Sequence, residues 1–254
     1  MEFSNVLFFD TETTGTVEKG LNWWEHFTKF PHVVQLAWIF GDKEESHIIK
    51  PDGWDIPDKA IAIHGITNEI ANAKGEPFSL VIDRFISDCQ KAEFICGHNI
   101  HFDTSIVKAK ILHLLGQEYF DSFNVEMALY KGKRIDTMRS SIKFVDARKI
   151  NGGVKFPNLE ELYARCFPGK TFPAHDALED CKAVKACLPI LLSKGLVELK
   201  LKEYNEPQTK AENAQNCPTI EQNQSDDKGI DLQKISDLRA NSAKITEMLN
   251  QNDF

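Results

Sequence analysis

Short apolar runs give way along this chain to segments of helical periodicity, and that alternation constrains its fold more than any other feature. VLFFD at 6–10, VVQLAWIF at Val33–Phe40 and a stretch at 46–50 come first, with connections short enough for antiparallel pairing. Phe78, Val81, Ile82, Phe85, Ile86 and Cys89 then fall on one face of a helix. EFIC at 93–96 reads as a further strand, followed by a helix over 100–115. Arg134–Asp136 reads as a short strand end. Leu159–Cys166 and Ala177–Ser193 read as helices, the second kinked at Pro189. Strands in a meander, then strands alternating with helices, predict an α/β fold: a mixed sheet flanked by helices.

That pattern stops near residue 200, so the expected main domain is 1–200. Residues 201–230 are almost without apolar side chains and cannot offset their ordering entropy by burial, which predicts a disordered linker. Within 231–254, Leu232, Ile235, Leu238, Ile245 and Leu249 recur at helical spacing. They predict a flexible C-terminal tail ending in one short amphipathic helix.

Composition narrows the function classes. No apolar run nears the roughly 18 residues of a membrane span, so no membrane association is expected. MEFSNVLFFDTE has no basic n-region and only four consecutive apolar residues, so no signal peptide is expected. Six cysteines at irregular spacings, without a C-x-x-C, read as reduced thiols in a cytoplasmic protein. With 30 basic and 38 acidic residues, the net charge is −8. A broad basic surface for nucleic acid is therefore excluded. If phosphate is the target, carboxylates with bound divalent cations must neutralise it locally.

Three short segments carry chemistry. In FFDTETTG, Asp10 and Glu12 are two apart on a strand, so both carboxylates point to one face. In ICGHNIHFD, a strand runs into His98-Asn99 and Asp103 follows in the first turns of a helix, where strand ends and helix starts form a crevice. In AHDALED, Asp176 and Glu179 resemble a capping box. His175 then precedes the helix, and Asp180 lies in its first turns. Taken singly, each segment also fits a solvated strand end, a dipole-compensating acid or a plain helix cap. Together they supply four carboxylates and one imidazole. Carboxylate oxygens suit Mg²⁺ or Mn²⁺, and two such ions can serve a phosphodiester. An imidazole titrates near neutrality and can take the proton of an attacking water.

In order and spacing, DTETTG, HNIHFD and HDALED resemble the motifs of the DEDD 3′–5′ exonucleases of the His subtype, over about residues 5–192. That family includes proofreading subunits of bacterial replicative DNA polymerases and several RNA-trimming enzymes. The resemblance implies a ribonuclease H-like fold. It implies Asp10, Glu12, Asp103 and Asp180 as ligands of two Mg²⁺ or Mn²⁺ ions and His175 as general base. It also implies a single-stranded nucleic-acid terminus with a free 3′ end as substrate, DNA favoured. IAIHGIT at 61–67 resembles a family segment beside the terminal nucleotide, with His64 in contact. Thr11 offers backbone contacts there, Gly15 closes the adjoining turn, and Asn99 and Phe102 belong to the second motif beside the same nucleotide. Asp136 in IDTM matches a structural position. The competing readings are an RNA-trimming exoribonuclease and a non-catalytic binding module. A third makes the protein a polymerase-associated subunit, tethered to a protein partner through the tail.

Two stretches depart from compact family members. Residues 16–32 concentrate Trp23, Trp24 and Phe27, either as a small packed flap over the sheet or as a platform for bases. The segment 131–157 gathers Lys131, Lys133, Arg134, Arg139, Lys143, Arg148, Lys149 and Lys155, for phosphate contact or simple solvation.

Overall fold

A computed structural model describes residues 3–200; the expected linker and C-terminal helix lie outside the described residues. β1 (Val6–Thr13), β2 (Val33–Phe40) and β3 (Lys43–Ile48) form an antiparallel meander. Gly41, at φ 62°, takes the left-handed conformation that closes the β2–β3 hairpin. Three helices follow: α1 (Asp58–His64), α2 (Asn68–Lys74) and α3 (Phe78–Lys91). β4 (Phe94–Gly97) pairs parallel to β1, and β5 (Arg134–Asp136) pairs parallel to β4. Between them lie α4 (Ile100–Ser122) and α5 (Val125–Ala128). The short α6 (Thr137–Ser140) and α7 (Ile142–Val145) lead to α8 (Leu159–Cys166) and α9 (Ala177–Ser193). The strand order is β3-β2-β1-β4-β5.

β1 is the middle strand and is buried on both faces. Leu7 and Phe9 join Leu36, Trp38 and Ile95 in a core with α3 and α4. Phe8 joins Ala37, Ile39, Phe94 and Cys96 in a second core with Leu162 of α8 and Cys181, Val184 and Leu188 of α9. Side-chain alternation thus lets one strand address both helical layers. A short tract, Ile95 to Gly97, also runs through the sheet, and Gly97 has no room for a side chain. A Cβ there would lie 2.7 Å from Ile100 Cδ1 and 3.0 Å from the Phe9 carbonyl oxygen.

Several element boundaries differ from the sequence expectation. β1 continues past Asp10 to Thr13, because its pairing with β2 persists through the acidic residues. The third strand is Lys43–Ile48, shifted from 46–50 by the tight turn. The helix expected to end at 115 extends to Ser122, but Gly116 (φ 80°, ψ 175°) breaks its helical path. Pro189 lies inside α9, and the helix runs on to Ser193. Asp176 caps α9, accepting from the Leu178 and Glu179 amides. The reciprocal capping box is found on α8 instead, between Asn158 and Glu161, while Glu179 pairs with Lys182.

The 16–32 insertion packs on α4. Trp23 stacks on Phe120 at 5.7 Å, Lys108 Nζ lies 5.1 Å above the Trp23 ring, and Phe27 lies beside His113. Trp24 is 57% exposed. The flap reading therefore holds for Trp23 and Phe27, with α4 as the surface covered. Of the basic stretch, Lys133 and Arg134 bond to backbone carbonyls, and Arg139, Arg148 and Lys155 pair with Asp136, Asp146 and Glu161. Three of the eight charges named there are thus paired with acids within the protein. The five cysteines of the described residues are free thiols. Among the described residues, no helix is long and apolar enough to cross a membrane.

Candidate active site

The site forms at one end of β1. Asp10 and Glu12 follow Phe8 on the face that packs against α9, whereas Thr11 points to the α4 side. The Thr11 hydroxyl donates to Asp103 Oδ1 at 2.7 Å. Asp103 is 3% exposed, in the first turn of α4. Asp180 occupies the first turn of α9, and its amide donates to the Asp176 carbonyl at 2.9 Å. His175, just before the cap, has φ 68°, a left-handed conformation uncommon for a side-chain-bearing residue. That turn directs the chain so that one ligand atom each from Glu12, His175 and Asp180 lie within 4.8 Å of one another. Asp10 and Asp103 flank this trio, close enough for their charges to act on one another and on Glu12.

Burial dominates the electrostatics. It holds Asp10 well above the ordinary carboxylate range, and the charges of Asp103, Asp180 and Glu12 add to the effect. Burial pushes Glu12 up to about 8, reinforced by Asp180 and Asp103. It pushes Asp103 up to about 7, against the opposing pull of the Thr11 hydroxyl. It pushes Asp180 up to about 7 as well, partly offset by a backbone hydrogen bond from His175. Asp180 Oδ1 is buried without a hydrogen-bond partner. Such a group normally has a partner, and four convergent carboxylates with an unpaired oxygen suit a hard divalent cation. The donor set fits Mg²⁺ or Mn²⁺.

Of the expected nucleotide contacts, His64 lies at the C-terminal end of α1, its Nδ1 accepting from the Ile66 amide at 3.1 Å. Burial lowers its pKa, and the proximity of His175 lowers it further. His64 therefore belongs to the same locale. Gly15 is exposed, and its carbonyl accepts from the Thr13 hydroxyl at 2.6 Å. Asn99 takes a left-handed φ of 67° before α4, and its amide donates to Asp136 Oδ1 at 3.2 Å. Phe102 is half-buried against the α3–α4 core. Thr11 differs from expectation in that its side chain, not only its backbone, engages the site. Asp136 also caps α6 through the Met138 and Arg139 amides, in keeping with a structural role.

Sequence reasoning missed Gln35. It stands opposite Glu12 in the β1–β2 register and is 4% exposed. The available signal was its position as the one polar residue in VVQLAWIF.

A mixed sheet layered by helices, with acids gathered at the end of its middle strand, is a ribonuclease H-like α/β fold. The RNase T family model, described as an exonuclease, matches residues 7–188, and the chain belongs to this DEDDh-type 3′–5′ exonuclease family. Solved structures of exonuclease I share the fold. A product-bound form is 22% identical with a TM-score of 0.52, covering 74% of this chain and 45% of that one. E. coli exonuclease I in complex with a dA16 oligonucleotide is 24% identical with a TM-score of 0.54, covering 74% and 42%. A dT13 complex of the E. coli enzyme is 24% identical with a TM-score of 0.53, covering 74% and 40%. The chain thus spans less than half the length of these structures. A comparison with curated protein sequences gave no match.

Proposed function

We propose that this protein is a metal-dependent exonuclease that removes nucleoside 5′-monophosphates from the 3′ end of single-stranded DNA. The observation that carries the reading is the convergence of Asp10, Glu12, Asp103 and Asp180 beside an exposed His175. Asp10, Glu12, Asp103 and Asp180 would hold the cations. When bound, two such ions supply Lewis-acid stabilisation of charge on the phosphate and leaving oxygens. His175 takes a proton from water as the water oxygen attacks the terminal phosphorus. The bond from phosphorus to the 3′ oxygen of the penultimate nucleotide breaks, and that oxygen leaves with the electron pair and takes a proton from solvent, while His175 returns its own to solvent. In this reading His64, Gly15, Asn99 and Phe102 receive the terminal nucleotide, supported for His64 by its proximity to His175, and Thr11 keeps Asp103 oriented through its hydroxyl.

The oligonucleotides bound by exonuclease I in the solved complexes favour DNA over RNA as the substrate. End-labelled DNA and RNA strands, assayed side by side, test the choice. The expected result is stepwise shortening of DNA from the 3′ end, lost in EDTA and restored by Mg²⁺ or Mn²⁺. A 3′-phosphate or a closed circle should block it. Full activity in excess EDTA, or efficient cutting of a circle, would overturn the reading. Preferential loss of RNA would establish the exoribonuclease alternative. A proofreading role requires a polymerase partner, which copurification tests.

A further inference from the structure

The chain turns sharply at His175, and the residue itself is exposed, so something behind it must fix its position. Within its own segment it is followed at once by the Asp176 cap and the first turn of α9. A helix N-terminus leaves four amide donors without intrahelical acceptors. Here Asp176 Oδ1 takes two of them, Leu178 and Glu179. The Ala177 amide is taken from outside the helix, by Gln35 Oε1 at 3.2 Å. Gln35 Nε2 donates to Asp176 Oδ2 at 3.2 Å and to Ser46 Oγ at 3.1 Å. The orientation of the amide follows from its partners. Only its oxygen can accept from a backbone N–H, and only its nitrogen can donate to a carboxylate.

Gln35 therefore bonds both to the residue immediately after His175 and to the first residue of α9. It does so from β2, directly opposite Glu12. The two strands that meet in this register are themselves buried and paired. Gln35 thus links the strand opposite Glu12 to the segment that carries His175. We infer that Gln35 is a positioning residue for the reaction, clamping the Asp176 cap so that His175 stands at the correct distance from Glu12 and Asp180. The inference rests on the reading of His175 as the proton acceptor.

An exchange of donor and acceptor tests it. Gln35→Glu places a carboxylate against Asp176, and Asp176→Asn places an amide donor against the Gln35 amide donor. Each single change breaks the bond. The double variant rebuilds it reversed. The carboxylate introduced on β2 then accepts from the side-chain amide introduced at the cap and from the Ala177 amide, and the oxygen of that side-chain amide can still cap α9. Misplacement of a reacting group by about 1 Å lowers rate about 10²-fold. Each single variant should therefore lose about 10–100-fold in kcat, with KM for a short DNA strand within about twofold. The double variant should recover to within about threefold of the parent, more than the sum of the single effects allows. Thermal unfolding of each variant shows whether it is folded. A folded Gln35→Glu with parental kcat, or a folded double variant no better than its worse single, would overturn the inference. If Gln35→Glu does not fold, Gln35→Met keeps the length without the bonds and should show the same split between kcat and KM; parental kcat there would also overturn it. His175→Ala, run alongside, separates the two readings, because parental kcat in that variant would refute the proton-acceptor role itself.

Discussion

At the scale of single residues, the site divides labour between groups that look alike in sequence. Asp180 and His175 are five positions apart, yet one is a half-buried carboxylate in a helix and the other an exposed imidazole on a loop. Their substitutions should therefore differ in kind. His175→Ala should lower turnover about 10²–10⁴-fold with metal affinity nearly intact, as the proposed role of the imidazole as proton acceptor requires. Asp180→Ala should weaken Mn²⁺ binding as well as turnover. Calorimetric titration of both variants with Mn²⁺ checks this, and equal loss of metal in the two would refute the separate roles. The gathering of Asp10, Glu12, Asp103, His175 and Asp180 was legible in the sequence from strand spacing and helix-start position, together with the motif resemblance that supplied their proposed roles. The Thr11 hydroxyl and Gln35 were not. Their partners lie 92 and 141 positions away, and only the packed sheet shows which face each addresses.

At the scale of elements, α4 shows how a helix can be buried on nearly all sides. Its first three turns hold Ile106, Val107, Ala109 and Ile111, all fully buried, together with Lys108 and Lys110. The sheet covers one side and the 16–32 flap another. Lys108 is accommodated by Glu126 at 2.7 Å and by the Trp23 ring. Burial pulls its pKa down to about 8 despite that partner. Trp23 is thus half-buried against the core, and Trp24 is exposed. Trp23→Ala should destabilise the protein by about 2–4 kcal/mol, less than the roughly 3–5 kcal/mol of a fully buried aromatic because Trp23 is half-buried. Trp24→Ala should stay within about 0.5 kcal/mol, as for a surface change. Urea unfolding of the two variants measures both, and similar midpoints would contradict the distinction. The aromatic cluster was visible in the sequence, but the surface it covers was not. A stripe of Trp and Phe states that something must be covered; the neighbour depends on where the chain returns.

At the scale of the whole molecule, the acid cluster imposes a pH dependence on folding. Asp10, Glu12, Asp103 and Asp180 are all raised in the folded state, three of them to about 7 or 8. Burial lowers the values of His32, His64, His98, His101 and His113, which oppose the acids below the ordinary histidine value of about 6.5, so it is between about pH 6.5 and about pH 8 that the folded state binds more protons than the unfolded one. Stability must fall as pH rises through that window. The metal-free protein should unfold at a lower temperature at about pH 8 than at about pH 6.5, and Mg²⁺ or Mn²⁺ should restore much of the difference at the higher pH and less at the lower. Thermal scans with EDTA and with metal at both pH values check the sign. The opposite trend would mean the acids ionise without penalty. The tail is a second matter of the whole chain. None of the proposed catalytic residues lies beyond Asp180, so a chain ending at Lys202 should keep its metal-dependent rate on short single strands. Turnover of the shortened and full chains, with size-exclusion mass alongside, measures this. A folded but inactive shortened chain would place part of the site in the tail.

Composition, periodicity and motif spacing were enough to indicate a mixed α/β sheet, the position of each long strand and helix, and the five residues proposed for one site. These are properties of neighbouring residues: side-chain alternation on a strand, 3.6-residue recurrence on a helix, a cap before a helix start. The strand order β3-β2-β1-β4-β5 was decided only in the tertiary structure. So were the two cores on opposite faces of β1, the burial that drives four carboxylates above their usual range, and the Gln35 bridge from β2 to α9. Each depends on which distant segments desolvate one another, and no local pattern along the chain encodes that.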